Sequence, residues 1–179
     1  IKAIGKAAKG KGPRKSPGIS VKLSAIHPRY EFTHRERVMA EIPPKLKELC
    51  LLAKEFDIGL TVDAEESERL DISLDIIESV FSDPDLGDWE GFGLAVQSYQ
   101  KRAMYVIDWL RELTIQVNRK MMVRLVKGAY WDTEIKNAQK DGLVHFPVFT
   151  RKSSTDVSYH ACANRLLDYR ETIYPQFAT

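Results

Sequence analysis

Apolar and polar positions alternate along four short runs of the chain, and between the runs the apolar residues recur at helical spacing. The runs are Ile19–Ser24 (ISVKLS), Ile58–Asp63 (IGLTVD), Phe92–Gln97 (FGLAVQ) and Met121–Gly128 (MMVRLVKG); their length and apolar content predict strands. Ile173–Thr179 (IYPQFAT) is a fifth, weaker candidate, because Pro175 cannot donate to a ladder. The first helical stripe is Val38, Ile42, Leu46, Leu49, Ala53 and Phe56, with Pro43 and Pro44 expected to end one helix and start another. Ile72, Ile76, Ile77 and Val80 form the second stripe, and Ala103, Ile107, Leu110, Leu113 and Val117 the third. Thr133–Lys140 predicts a short helix stopped near Gly142, and Val157, Ala161 and Leu166 mark the last stripe. Strand, helix, strand at intervals of roughly 30–50 residues is the rhythm of a parallel sheet.

Two architectures share that rhythm, an open doubly wound sheet and a (β/α)8 barrel. The first strand-to-helix turn carries no GxGxxG, which removes the best support for a dinucleotide-binding doubly wound sheet. Side-chain parity favours the barrel. Ile19, Val21 and Leu23 share one face and Ser20, Lys22 and Ser24 the other; Ile58, Leu60 and Val62 oppose Gly59, Thr61 and Asp63. Likewise Phe92, Leu94 and Val96 oppose Gly93, Ala95 and Gln97, while Val123 and Leu125 oppose Arg124, Val126 and Gly128. Each strand therefore has a greasy face and a face of small residues plus one long polar group. A sheet between two helix layers would be greasy on both faces, whereas a barrel needs an apolar outside and a polar site at its strand ends. The expected fold is α/β, a TIM-like (β/α)8 barrel, incomplete, with about five βα units. Residues 1–18 are expected to be a helix end and basic linker leading into it, and 19–179 the partial barrel.

Composition adds a few exclusions. The chain has 179 residues, 44% hydrophobic and 29% charged, which fits a globular domain and not a disordered one. No apolar run approaches the ~18 residues of a membrane span, and Cys50 and Cys162 are too few for a disulfide framework. With Ile1 at its start and no signal-peptide core, the chain reads as a cytosolic piece of something longer. The net charge of +2 conceals a basic lead-in. Lys2, Lys6, Lys9, Lys11, Arg14 and Lys15 stand without an acid before Ser16, so the remainder is net negative. Such a tail can be a nucleic-acid arm, but no aromatic interleaves it, and a solvated linker is the favoured reading.

On parity, Lys22, Asp63, Gln97 and Arg124 converge on one interior. Singly, each has a structural reading: an ion pair for Lys22 and Asp63, a satisfied core amide for Gln97, a Glu65 partner for Arg124. Four in register on successive strands point to a site, because burying charge without use is costly. Asp63, Glu65 and Glu66 after the second strand lack a nearby His or Cys, so a structural role is favoured over metal binding and no metal is expected. The KGAYW stretch offers a glycine for close approach, a cation for phosphate and two aromatic faces.

GISVKLSAIHPRYE, DIGLTVDAEES, AVQSYQKR, RLVKGAYWDTEIK, FPVFTRKSSTDVSYHACA and IYPQFAT, in this order along nearly the whole chain, closely resemble the proline dehydrogenase domain of bacterial proline utilization A enzymes. The resemblance implies a distorted (β/α)8 barrel that binds FAD, oxidises L-proline to 1-pyrroline-5-carboxylate by hydride transfer to flavin N5, and passes electrons to a quinone. It implies Arg124 near N5, Gln97 on the isoalloxazine edge, and Val126, Lys127, Gly128, Ala129, Trp131, Phe149, Thr150, Arg151 and Lys152 against the rest of FAD. Asp63, Ala64 and Ala95 would line the flavin and proline site, with Lys22 beside them and Tyr130 near the substrate. Arg124, Asp63, Lys22 and Tyr130 are the catalytic candidates. Thr179 resembles the first residue of a Thr-His-Asn element that touches FAD. An arginine pair that clamps the substrate carboxylate is absent, so these 179 residues alone are expected to be inactive. The resemblance further implies a cytoplasmic protein, peripheral at the inner membrane, fused to an aldehyde dehydrogenase domain and able to form a homodimer, with no nucleic acid bound through this segment. Two other readings stay open, a Schiff-base lyase using Lys22 with its amine depressed by Arg124, and a non-catalytic nucleic-acid-binding piece.

Overall fold

The computed structural model describes residues 1–178, so Thr179 of the expected cofactor set lies outside the described residues. Strands β1 (Ile19–Val21), β2 (Leu60–Val62), β3 (Phe92–Gln97), β4 (Met121–Val126) and β5 (Ile173–Phe177) pair in parallel. Their spatial order is β1-β2-β3-β4-β5. Each crossover steps to the next strand without reversal, as in the wall of a barrel; a doubly wound sheet reverses direction at its switch point. Among the described residues the wall is open at β1 and β5.

The helices are α1 (Lys2–Ala8), α2 (Leu23–Ile26), α3 (Arg35–Glu55), α4 (Leu70–Phe81), α5 (Ala103–Val117), α6 (Trp131–Lys140) and α7 (Lys152–Asp168). The predicted outer faces, with Leu60, Val62, Phe92, Leu94, Val123 and Leu125, are buried together with Ile72, Ile76, Ile107, Leu110 and Leu166 from the helices. Each such side chain contributes about 1.5–3 kcal/mol by leaving water. The core thus lies outside the sheet, leaving the inner face for polar groups.

Several boundaries differ from the sequence reading. The first strand ends at Val21, and extended Lys22 caps the short α2; the fourth ends at Val126, before the Gly128 turn. Pro43 and Pro44 lie inside an unbroken α3. Their missing N–H groups forfeit two helical bonds, but Val38, Ile42, Pro43, Leu46, Cys50 and Ala53 are all buried along one stripe, and α3 packs on α4. Burial outweighs the lost bonds. In α7 the buried stripe is Thr155, Tyr159, Cys162 and Leu166, whereas Val157 is 70% exposed and Ala161 also faces out. Counting only aliphatic residues selected the wrong face. Pro175 does not prevent β5 from forming: it stands in the parallel ladder opposite Val123 of β4.

The lead-in is a helix, α1, followed by a loop; its basic side chains are exposed, while other parts of it pack on the sheet. Gly5 of α1 lies so close to the Phe56 ring that a Cβ has no room, and Ala8 is buried. Arg14 Nη2 meets Glu90 Oε2 at 2.5 Å and its guanidinium lies 5.0 Å from the Tyr174 ring centroid. Gly18 backs onto the Gly59 carbonyl. The segment covers the N-terminal strand ends, opposite the candidate site.

Candidate functional site

Arg124 leaves β4 on the inner face and crosses β3, where the inward positions are Gly93 and Ala95. Small residues there let the guanidinium reach two further strands. Nη1 donates to Ser20 Oγ of β1 at 3.0 Å, and Nη2 donates to Thr61 Oγ1 of β2 at 3.3 Å. Asp63 extends the β2 ladder through its N–H to the Val21 carbonyl at 2.9 Å, which fixes its carboxylate at the strand end. That carboxylate stands between two cations, Arg124 Nη1 at 3.6 Å and Lys22 Nζ at 3.9 Å.

Lys22 Nζ also donates to Tyr130 Oη at 3.1 Å. The Tyr130 hydroxyl is the main cause holding the Lys22 ammonium above its ordinary range, with Asp63 a lesser one. A Schiff-base nucleophile needs the opposite shift, so this direction speaks against the reading in which Arg124 depresses the amine. Gln97 is 4% exposed and straps two loops together. Its Nε2 donates to the Glu65 carbonyl at 2.9 Å and its Oε1 accepts from the Ala129 N–H at 3.0 Å. Arg124 does not pair with Glu65. Glu65 accepts from the Ser24 N–H at 3.0 Å and meets Arg69 at 3.2 Å, with Glu66 on the same arginine at 3.1 Å. The acidic cluster after β2 therefore fastens the loop.

Lys22, Asp63, Ala64, Ala95, Gln97, Arg124, Val126, Lys127, Gly128, Ala129 and Tyr130 line one open cleft of about 380 Å³, together with Ala178. Trp131, Phe149, Thr150, Arg151 and Lys152 do not line it; they form a shoulder at the N-terminal end of α7. Trp131 Nε1 donates to the Phe149 carbonyl at 2.9 Å, which ties the aromatic pair together. Lys127 joins shoulder to cleft. Its Nζ meets Asp156 Oδ1 at 2.7 Å, while Lys152 Nζ meets Asp156 Oδ2 at 3.0 Å. The hydrogen bonds from Lys127 and Lys152 hold the Asp156 carboxyl below its usual value. Asp156 was invisible to sequence reasoning, since nothing local distinguishes it from any helix-surface acid. Ser20 and Thr61 were legible by parity, as the short polar residues on the inner face.

A sequence profile of the proline dehydrogenase family matches residues 1–179, and the chain belongs to that family. Bifunctional protein PutA of Escherichia coli strain K12 is 57% identical over 179 residues, covering 100% of this chain and 14% of PutA. The Klebsiella aerogenes protein of the same name is 56% identical over 179 residues, again 14% of its length. The crystal structure of a mutant of Bradyrhizobium japonicum proline utilization A matches with a TM-score of 0.98 and 57% identity, over 99% of this chain and 18% of that one. The sheet is thus the first part of a barrel wall of the proline dehydrogenase type.

Proposed function

We propose that this chain carries the flavin-facing side of an active site that oxidises L-proline to 1-pyrroline-5-carboxylate with FAD, in a complete protein that passes the electrons to a quinone. The observation that carries this reading is the convergence of Arg124, Asp63, Lys22, Gln97 and Tyr130 on one cleft at the C-terminal strand ends, in a chain of the proline dehydrogenase family. The donor chemistry fits a flavin dinucleotide. Ala64, Ala95, Val126 and Ala129 give low walls for a flat ring, with Gly128 beside them in the same lining. Lys127, Arg151 and Lys152 beside the N-terminus of α7 suit the phosphates.

When bound, FAD would supply the two-electron acceptor for a hydride given up by the ring carbon of proline that neighbours the nitrogen and does not carry the carboxylate, as that nitrogen gives up its proton and C=N forms. The protein's part is electrostatic and positional. Arg124 presents a fixed positive charge where negative charge gathers, and Ser20, Thr61 and Asp63 hold it in place so that little reorganisation is needed. Lys22, charged at neutral pH, balances the substrate carboxylate and orients the Tyr130 hydroxyl, leaving the Tyr130 ring to pack on the pyrrolidine. Gln97 fixes Ala129 and keeps a second Nε2 hydrogen for the ring edge. The likeness to bifunctional PutA extends the proposal to a fused aldehyde dehydrogenase domain, a homodimer, and a cytoplasmic protein peripheral at the inner membrane. Among the described residues no helix is long and apolar enough to cross a membrane.

Anaerobic mixing of the complete protein with L-proline tests the reading. The expected result is a bleached visible flavin band and one 1-pyrroline-5-carboxylate formed per flavin; a protein without flavin, or with flavin left oxidised in excess proline, contradicts it.

A further inference from the structure

Behind the cleft lies a buried polar network that the proposed chemistry does not use. Tyr99, in the turn after β3, is 2% exposed and contacts the Lys127–Tyr130 turn, α6 and the Phe149 segment. Its N–H donates to the Lys127 carbonyl at 2.7 Å, and its carbonyl accepts from the Phe149 N–H at 2.8 Å. Its ring fills the space where a Cβ on Gly128 would stand. The Tyr130 backbone N–H faces its hydroxyl, which in turn donates to Glu134 Oε1 at 3.4 Å. Glu134, 4% exposed, accepts from the Ser67 N–H at 2.7 Å and from Ser67 Oγ at 2.5 Å, while the Ser67 carbonyl accepts from Arg102 at 3.0 Å.

A carboxylate buried on α6 costs several kcal/mol unless its hydrogen bonds are made. Here three donors converge on it from the β2 and β3 loops, so the arrangement has one low-energy geometry. Burial, then the neighbouring Glu134, pushes the Tyr99 phenol above its ordinary range, which keeps the hydroxyl a donor at any working pH. Nothing in the network opens to the cleft. It acts on the cleft through the Gly128–Tyr130 turn.

We propose that Tyr99, backed by Glu134, is the positioning residue of this site: it holds the Lys127–Tyr130 turn and the Phe149 segment in one register, and so places the Tyr130 side chain and the Gly128–Ala129 backbone in the cleft. The substrate half of this statement rests on the proline reading above; the turn-holding half does not. Tyr99→Phe removes one hydroxyl and keeps the ring under Gly128.

In the complete protein, Y99F is expected to lower amide-exchange protection at Ala129 and Tyr130 severalfold, as the turn loses the hydroxyl that tethers it to Glu134, with β3 and β4 amides unchanged. The KM for L-proline is expected to rise about tenfold with kcat within about twofold, because a misplaced Tyr130 weakens ground-state and transition-state contacts alike. Glu134→Gln, which keeps volume and one acceptor, is expected to move both readings in the same direction by less. Wild-type exchange and wild-type KM in Y99F would overturn the proposal, as would kcat and KM that change only in proportion to lost flavin content. The exchange arm uses neither substrate nor turnover. A loosened turn in Y99F beside a wild type that never reduces its flavin would therefore sink the proline reading and keep Tyr99 as the organiser of the turn.

Discussion

Asp63 stands between Arg124 and Lys22 at 3.6 and 3.9 Å, and the three side chains come from positions far apart in sequence. Parity alone brought them to one face, since alternation along a strand needs only the residue order. Their partners were not legible. That Lys22 meets Tyr130, or that Lys127 and Lys152 share Asp156, depends on loop paths that no local pattern encodes. The raised Lys22 ammonium predicts that borohydride, added with proline or its oxidised product, leaves no adduct on Lys22; a reduced adduct in the peptide map contradicts this. Asp156 carries a pH prediction. Its folded value lies below the unfolded 3.8, so its contribution to stability is present above that pH and is lost as pH falls through the folded value. The stability gap between wild type and Asp156→Asn should therefore hold at neutral pH and close below pH 3.8, read from denaturant midpoints. A gap unchanged in strong acid rules the ion pairs out as its cause.

At the scale of elements, the strands and the α4 and α5 stripes were readable because one period dominates each. The failures have a common origin in packing. Two prolines did not break α3, because its buried stripe offsets the missing bonds, and α7 turned Thr155, Tyr159 and Cys162 inward in preference to Val157. The turn after β4 shows the same dependence on tertiary contact. Gly128 combines φ +147 with the Tyr99 ring against its Cα, so Gly128→Ala faces both strain and overlap. The expected loss is about 2–4 kcal/mol of unfolding free energy in the complete protein. Equal stability of G128A and wild type by urea titration would show that the turn relaxes at little cost.

Across the whole molecule, the sequential strand order and one-sided core were legible from alternation and spacing, while the packing of the lead-in on the sheet was not. Its lysines and glycines suggest solvated chain, yet Gly5, Ala8, Arg14 and Gly18 close the lower end of the sheet against Phe56, Glu90, Tyr174 and Gly59. The inner face carries Arg124 and Gln97 but is walled by five strands, with β1 and β5 as open edges among the described residues. Unpaired edges and a half-built interior predict that the 179 residues expressed alone neither retain FAD through desalting nor oxidise proline; flavin-dependent turnover by that polypeptide contradicts this.

The central claim is that the cleft around Arg124 is where proline is oxidised, and Arg124→Met in the complete protein tests it most directly. Methionine keeps much of the side-chain length and removes the charge. The Arg124 side chain is 32% exposed and its partners are polar groups near solvent, so stability should shift by no more than about 1 kcal/mol. The account predicts that anaerobic reduction of the flavin by L-proline slows about 10²–10³-fold in a folded, flavin-containing R124M protein. Reduction at the wild-type rate would contradict it.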